Sequence, residues 1–193
     1  MMEVVKTEID GVFILKPKVF SDQRGYFLES FSQRVFDEKM IPMLGYPVHF
    51  VQDNESKSVF GVVRGLHYQN PPFTQSKLLT CVAGCVLDVA VDLRVGSPTF
   101  GKHVSVELSG ENHLQVFITK GFAHGFAVLS ETAVFQYKCD EFYHPEADAG
   151  IQLLDDSLGI DWQIPVEKMI LSEKDRVRAR MADTPSVFEY GKI

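Results

Sequence analysis

The run from Val86 to Arg94 constrains the fold most: Leu87, Val89, Val91 and Leu93 alternate with Asp88, Ala90, Asp92 and Arg94. A period of two puts the first set on one face of a β-strand and the second on the other. The apolar face must pack against something. The face of carboxylates, alanine and arginine has two readings: it lines a polar cavity, or it meets solvent. Shorter alternating runs recur at Val4–Ile9, Val12–Leu15, Tyr26–Ser30, Val48–Gln52, Ser76–Thr80, His103–Leu108, Leu114–Thr119, Ala127–Leu129 and Thr132–Cys139. Turn residues separate them at Asp10-Gly11, Ser21–Gly25, Asp53–Ser56, Ala83-Gly84, Ser97–Gly101 and Ser109–Asn112. This pattern predicts an all-β sandwich or barrel, and an open-mouthed jelly roll would hold one ligand inside.

Helical signals are few. Ser32 caps an expected helix to Met40, with Val35, Phe36 and Met40 on one face, and Pro42 is expected to end it. After Pro145 the chain turns acidic and loop-like, then runs as a tail past Trp162 to a basic stretch, Arg176 to Arg180. With 193 residues, the expectation is one domain over residues 1–193, with a short C-terminal extension.

The net charge of -7 argues against nucleic acid or an anionic membrane as partner. An anionic ligand would need local basic residues. Cys81, Cys85 and Cys139 offer no paired framework, so free thiols in a reducing cytoplasm are expected. The Cys81–Cys85 spacing lacks a second close pair, which disfavours a zinc site. Met1–Lys6 has no signal-peptide character, and no apolar run is long enough to span a bilayer.

Candidate chemistry concentrates between Gly61 and Lys77, where Arg64, His67 and Lys77 fall within seventeen residues. Arginine can hold a phosphate oxygen with a bidentate fork. Histidine suits proton transfer near neutral pH. Lysine can stabilise charge developing on an oxygen. The set points to moving protons on a phosphate-bearing substrate.

Seven motifs in order extend this reading: Asp22–Glu29 (Asp-Gln-Arg-Gly-Tyr-Phe-Leu-Glu), Gln52-Asp53-Asn54, Arg64-Gly65-Leu66-His67, Ser97-Pro98-Thr99-Phe100-Gly101, Gly121–Phe126, Gln136-Tyr137-Lys138 and Leu171–Asp175. From about Gly11 to Asp175 the chain resembles the dTDP-4-dehydrorhamnose 3,5-epimerase family. The resemblance implies a metal-free, cupin-type jelly roll with a few short helices, no cofactor and a homodimer. It implies a dTDP-sugar substrate, with the nucleotide site completed by the second subunit. In such a substrate a 4-keto group acidifies the hydrogens on carbons 3 and 5. Inversion needs a base on one side of the ring, an acid on the other, and donors at the enolate oxygen.

By resemblance His67 is the base and Asp175 its carboxylate partner. Tyr137 is the proton donor, on a strand face shared with Ala133 and Phe135, and Lys77 faces the sugar oxygen. His124 contacts substrate, and Arg24, Glu29, Gln52, Asp53, Asn54, Arg64 and Lys174 match nucleotide- and diphosphate-binding positions. Asp148 stands where the family has a glutamate, one methylene longer, with Glu146 nearby. The insert Asn70-Pro71-Pro72-Phe73 separates His67 from Lys77. Three alternatives stay open. One is a single-carbon epimerase or ketoisomerase on a related sugar nucleotide. Another is a metal-dependent cupin, disfavoured because there is no His-x-His pair and His103, His113 and His124 lie on separate segments. The third is a non-catalytic binding module.

Overall fold

Both faces of the Val86–Arg94 run are buried, which excludes the solvent reading for its polar side: Ala90 packs in the core, Asp88 pairs with His124 and Asp92 with Arg94. The computed structural model describes residues 2–192. In chain order the strands are β1 Glu3–Lys6, β2 Val12–Lys16, β3 Val19–Asp22, β4 Gly25–Leu28, β5 Gln52–Val59, β6 Val63–Gln69, β7 Lys77–Ala83, β8 Cys85–Asp92, β9 Arg94–Val95, β10 His103–Ser109, β11 Gln115–Ile118, β12 Phe122–Val128, β13 Thr132–Cys139, β14 Asp148–Gly150 and β15 Phe188–Glu189. Helix α1, Gln33–Leu44, precedes β5, and the one-turn helix α2, Glu173–Arg176, follows β14.

Two antiparallel sheets face each other, as in a jelly roll of the cupin type. One has the order β1-β2-β11-β7-β13-β5 and the other β10-β8-β12-β6-β14. Alternation along each strand divides the apolar residues into three layers. Leu79, Cys81 and Phe135 from the first sheet meet Val86, Ala90, Phe122 and Phe126 from the second in the central layer. Leu87, Val89, Val91 and Leu93 point out of the second sheet and pack under Ile151, Leu153, Leu158, Trp162 and Ile164. The chain beyond Pro145 is therefore a cover for the greasy face of β8. Trp162 is buried within it and donates its indole N–H to the Leu153 carbonyl at 2.9 Å. On the far side, Phe36 and Met40 of α1 pack on Phe13, Leu15, Leu78 and Phe117, with the Phe36 and Phe117 rings edge to face at 5.1 Å.

The β1–β2 hairpin turns at Asp10-Gly11 as its sequence indicates. Ser32 caps α1, accepting from the Val35 N–H. Two local expectations are corrected. Pro42 does not end α1. The helix continues to Leu44 and closes on Gly45, whose φ of 83° is left-handed. Pro42 and Glu38 are exposed, so the one Glu38 carbonyl left without a helical partner can turn to water. Asp53–Ser56 is not a turn but the middle of β5, paired residue by residue with β13. Its polar side chains are tolerated because β5 is a sheet edge. His124 lies inside β12, paired with His67 on one side and Ala90 on the other.

Gly65 and Gly125 permit that close pairing. A Cβ on Gly65 would sit 2.5 Å from Gly125 Cα, at a φ of +137° that side chains rarely adopt. The register with β6 shifts between His124 and Phe126 at this crossing, while pairing with β8 is unbroken, so strand alternation turns His124 inward with Phe122 and Phe126. No helix among the described residues is long and apolar enough to cross a membrane.

Candidate active site

A cavity of about 480 Å³ opens between the sheets, walled by Val62, Arg64, His67, Lys77, His124, Phe126, Tyr137, Leu171 and Asp175. A second hollow of about 330 Å³ shares His67, Lys77 and Tyr137 and adds Gln52, Asn54, Tyr143 and Asp148. The alternation that builds the core also loads this space. On β7 the residues Lys77, Leu79 and Cys81 share the inner side, and on β13 so do Phe135, Tyr137 and Cys139. On β12 His124 points inward with Phe122 and Phe126. Lys77 and Tyr137 thus come from one sheet, and His67 and His124 from the other.

His67 Nε2 lies 2.5 Å from Asp175 Oδ1. With the Nε2 proton shared toward the carboxylate, Nδ1 is the nitrogen left with a lone pair. Asp175 is only 3% exposed. Burial works to raise its pKa, yet the hydrogen bond and charge of His67 and the Ser172 hydroxyl hold it below the ordinary carboxylate value. Its position comes from α2, where the Ser172 hydroxyl accepts from the Asp175 N–H at 3.1 Å. The dyad therefore joins β6 to a helix 108 residues further along the chain.

A second histidine–carboxylate pair stands beside it. His124 Nε2 and Asp88 Oδ2 are 2.7 Å apart and both residues are buried. Burial pushes the imidazole below its usual pKa, against the pull of Asp88 and with help from Lys77 and His67. His124 is then a neutral imidazole at pH 7, donating to Asp88. Asp88 was legible only as part of the polar face of β8; its partner is set by the β8–β12 register.

Lys77 is half-buried, and desolvation lowers its pKa, opposed by Cys139, Asp88 and Asp148. Tyr137 moves the other way: burial and nearby Cys139 raise its pKa, with Arg64 opposing. The phenol stays protonated well into the alkaline range, as a proton donor must. Arg64 stands exposed at the mouth, its Nη2 3.2 Å from the Ser58 hydroxyl of the opposite sheet.

The remaining expected residues divide. Gln52 and Asn54 point inward on β5, joined by a 2.9 Å hydrogen bond. Asp53 points the other way, to the outer face, where it pairs with Lys138 at 2.8 Å. Arg24 and Glu29 are not brought to the cavity of their own chain. Arg24 sits at the tip of the β3–β4 hairpin, ion-paired to Asp22, and Glu29 lines a shallow groove beside Lys18 and Phe31. Asp148 Oδ2 is engaged by Arg178 Nη2 at 2.6 Å and by Lys174, while Glu146 turns to His144 at 3.1 Å. The Asn70–Phe73 insert packs against the far rim, with Phe73 stacked on His144 at 3.7 Å. Tyr143, exposed and lining the second hollow, was not singled out from sequence; an aromatic next to Phe142 in a loop carries little signal by itself. Among the described residues no group of three or more His, Cys, Asp or Glu could hold a metal ion.

Comparison with known proteins agrees with this geometry. A family model described as dTDP-4-dehydrorhamnose 3,5-epimerase matches residues 6–183. A curated dTDP-4-dehydrorhamnose 3,5-epimerase from Shigella flexneri is 55% identical over 174 residues, covering 90% of this chain and 93% of that protein. The crystal structure of the Elizabethkingia anophelis enzyme of that name superposes with a TM-score of 0.88 at 51% identity, covering 95% of this chain and 98% of the other. A Legionella pneumophila dTDP-6-deoxy-D-glucose-3,5-epimerase, solved with dTDP-4-keto-L-rhamnose, gives a TM-score of 0.88 at 50% identity and 94% coverage of each chain. With a paired imidazole and a half-buried phenol on facing sheets, and likeness along nearly the whole chain, this protein belongs to the dTDP-4-dehydrorhamnose 3,5-epimerase family.

Proposed function

We propose that this protein converts dTDP-4-dehydro-6-deoxy-D-glucose to dTDP-4-dehydro-L-rhamnose, inverting carbons 3 and 5. The observation that carries the reading is the placement of His67 and Tyr137 on opposite sheets around one cavity. A pyranose held between them meets a base on one face and an acid on the other.

His67 takes the carbon-bound proton, and the imidazolium that forms is stabilised by ionised Asp175. The electron pair moves onto the 4-keto oxygen. Lys77 supplies positive charge there, worth more in a desolvated site than in water. Tyr137 then delivers a proton from the other sheet, and the enolate collapses to the inverted ketone. His124, neutral and fixed by Asp88, orients substrate without adding charge. The second hollow suits the nucleotide: Gln52 and Asn54 offer amide groups, and Tyr143 offers a flat face for a base. Arg64, exposed at the mouth, and Lys174, beside Asp148, are the cations assigned to the diphosphate.

The β3–β4 hairpin supports a homodimer. Phe20 and Tyr26 are exposed and Phe27 is 70% exposed, on a two-stranded sheet that joins no other. Such a patch on a single chain marks an interface. In the dimer the hairpin carries Arg24 and Glu29 to the neighbouring subunit's nucleotide. Three free cysteines fit a cytoplasmic enzyme.

Turnover of the dTDP-4-keto-6-deoxy sugar in heavy water tests the reaction. The expected product carries deuterium at both carbons 3 and 5, and exhaustive chelation leaves the rate unchanged. Label at one carbon alone would point to the single-carbon epimerase, and no label to a binding module.

A further inference from the structure

Asp175 reaches His67 from a helix of only four residues, too short to hold itself in place. What holds it is a clamp on the neighbouring strand. β14 pairs with β6 so that Gly150 stands opposite His67 and Asp148 opposite Gln69. Asp148 receives Arg178 and Lys174, which flank Asp175 in sequence. The Arg178 side chain lies across Gly150: a Cβ there would come within 3.1 Å of its Nε and 3.4 Å of His67 Cδ2. That Nε is buried without a hydrogen-bond partner, so Arg178 is held by its terminal nitrogen and by packing. The Gln152 N–H to Ala179 carbonyl bond, 2.8 Å, and the Met181 N–H to Asp155 bond, 2.9 Å, continue the seam.

We propose that Arg178 is a positioning residue for the proton abstraction: by gripping Asp148 across Gly150 it keeps α2 against β14, with Asp175 in line with His67 Nε2. The inference rests on the epimerase reading above. Arg178 touches no substrate in this assignment; it acts through Asp175. Asp148 serves as the anchor, which accounts for a short aspartate whose carboxylate is already engaged. The positive charge of Arg178 also helps keep Asp175 ionised.

A double-mutant cycle with Asp175→Asn tests this. Arg178→Gln should lower kcat about tenfold, the scale expected when a catalytic group drifts by a fraction of an ångström. The KM for the dTDP-4-keto sugar and the Kd for dTDP should stay within about twofold of wild type, because no ligand contact is lost. In the Asp175→Asn background the same substitution should cost nothing further, and Arg178→Lys should recover most of the rate. An equal loss in both backgrounds would reduce Arg178 to a general structural role and overturn the proposal. Weaker dTDP binding at unchanged kcat would make it a ligand contact and overturn it too. Should the Gln variant not fold, Arg178→Met, which keeps the aliphatic packing without the grip on Asp148, carries the same cycle. A wild-type protein that incorporates no deuterium from heavy water defeats the epimerase reading itself; wild-type turnover that Arg178→Gln leaves intact defeats the clamp alone.

Discussion

At the scale of single residues, the site works by moving ionisable groups in opposite directions with the same burial. Desolvation lowers Lys77 and raises Tyr137. The alkaline fall-off of kcat/KM is therefore expected from Lys77 losing its proton below its ordinary value of 10.5, before the phenol ionises. Lys77→Arg, which cannot deprotonate in this range, should shift that limb to higher pH; an unmoved limb would assign it to Tyr137. His67→Asn should cut isotope exchange by about 10³-fold or more, within the range for losing a general base, and leave dTDP binding intact by calorimetry. His67 and Lys77 stood out as side chains suited to proton transfer and charge stabilisation, whereas Tyr137 as proton donor came from family resemblance, and the strand period of two added only the face it shares with Ala133 and Phe135. Asp175 as the partner of His67 came from family resemblance alone; a contact spanning 108 residues leaves no local trace. Arg178 left none either, since a basic run in a tail reads as solvated.

Elements show where local signals lost to pairing. Asp53–Ser56 carries turn chemistry, yet eight matched residues of β13 draw it into a strand, because satisfying backbone groups along a ladder outweighs side-chain preference. Pro42 was read as a stop, but a missing N–H near a helix end costs little where water can serve the freed carbonyl. Gly125, beside His124, serves a strand crossing rather than a turn. Gly65→Ala tests that crossing: with Gly125 Cα 2.5 Å from the new Cβ, it should lower the urea midpoint by an amount equivalent to about 2 kcal/mol or more. A midpoint within error of wild type would mean that the two strands separate freely.

For the whole molecule, acid stability follows from its carboxylates. Asp92 is fully buried against Arg94, and burial is overcome by hydrogen bonds from Arg94, Ser97 and Thr99, so its pKa falls below 3.8; Asp175 is depressed as well. A depressed carboxylate contributes stability above its unfolded value, and that contribution is lost as pH falls through the lower folded value. Thermal unfolding should therefore hold steady near neutrality and drop below about pH 4. Asp92→Asn should flatten that drop while lowering stability at pH 7. The proposed homodimer is tested at the same scale: Phe27→Asp should yield monomers by sedimentation and weaken dTDP binding, whereas unchanged association and affinity would remove the hairpin from any interface. The two-sheet architecture was legible from alternation, and the third layer was not, because residues beyond Pro145 have no periodicity to announce that they cover β8.

The claim on which these readings converge is that proton removal and proton return occur from opposite sheets. Tyr137→Phe, incubated with the dTDP-4-keto-6-deoxy sugar in heavy water, separates the two steps. The account predicts recovered substrate that has gained deuterium with its configuration retained, since His67 still removes the proton and can return one only from its own side. Inverted product at the wild-type rate would contradict it.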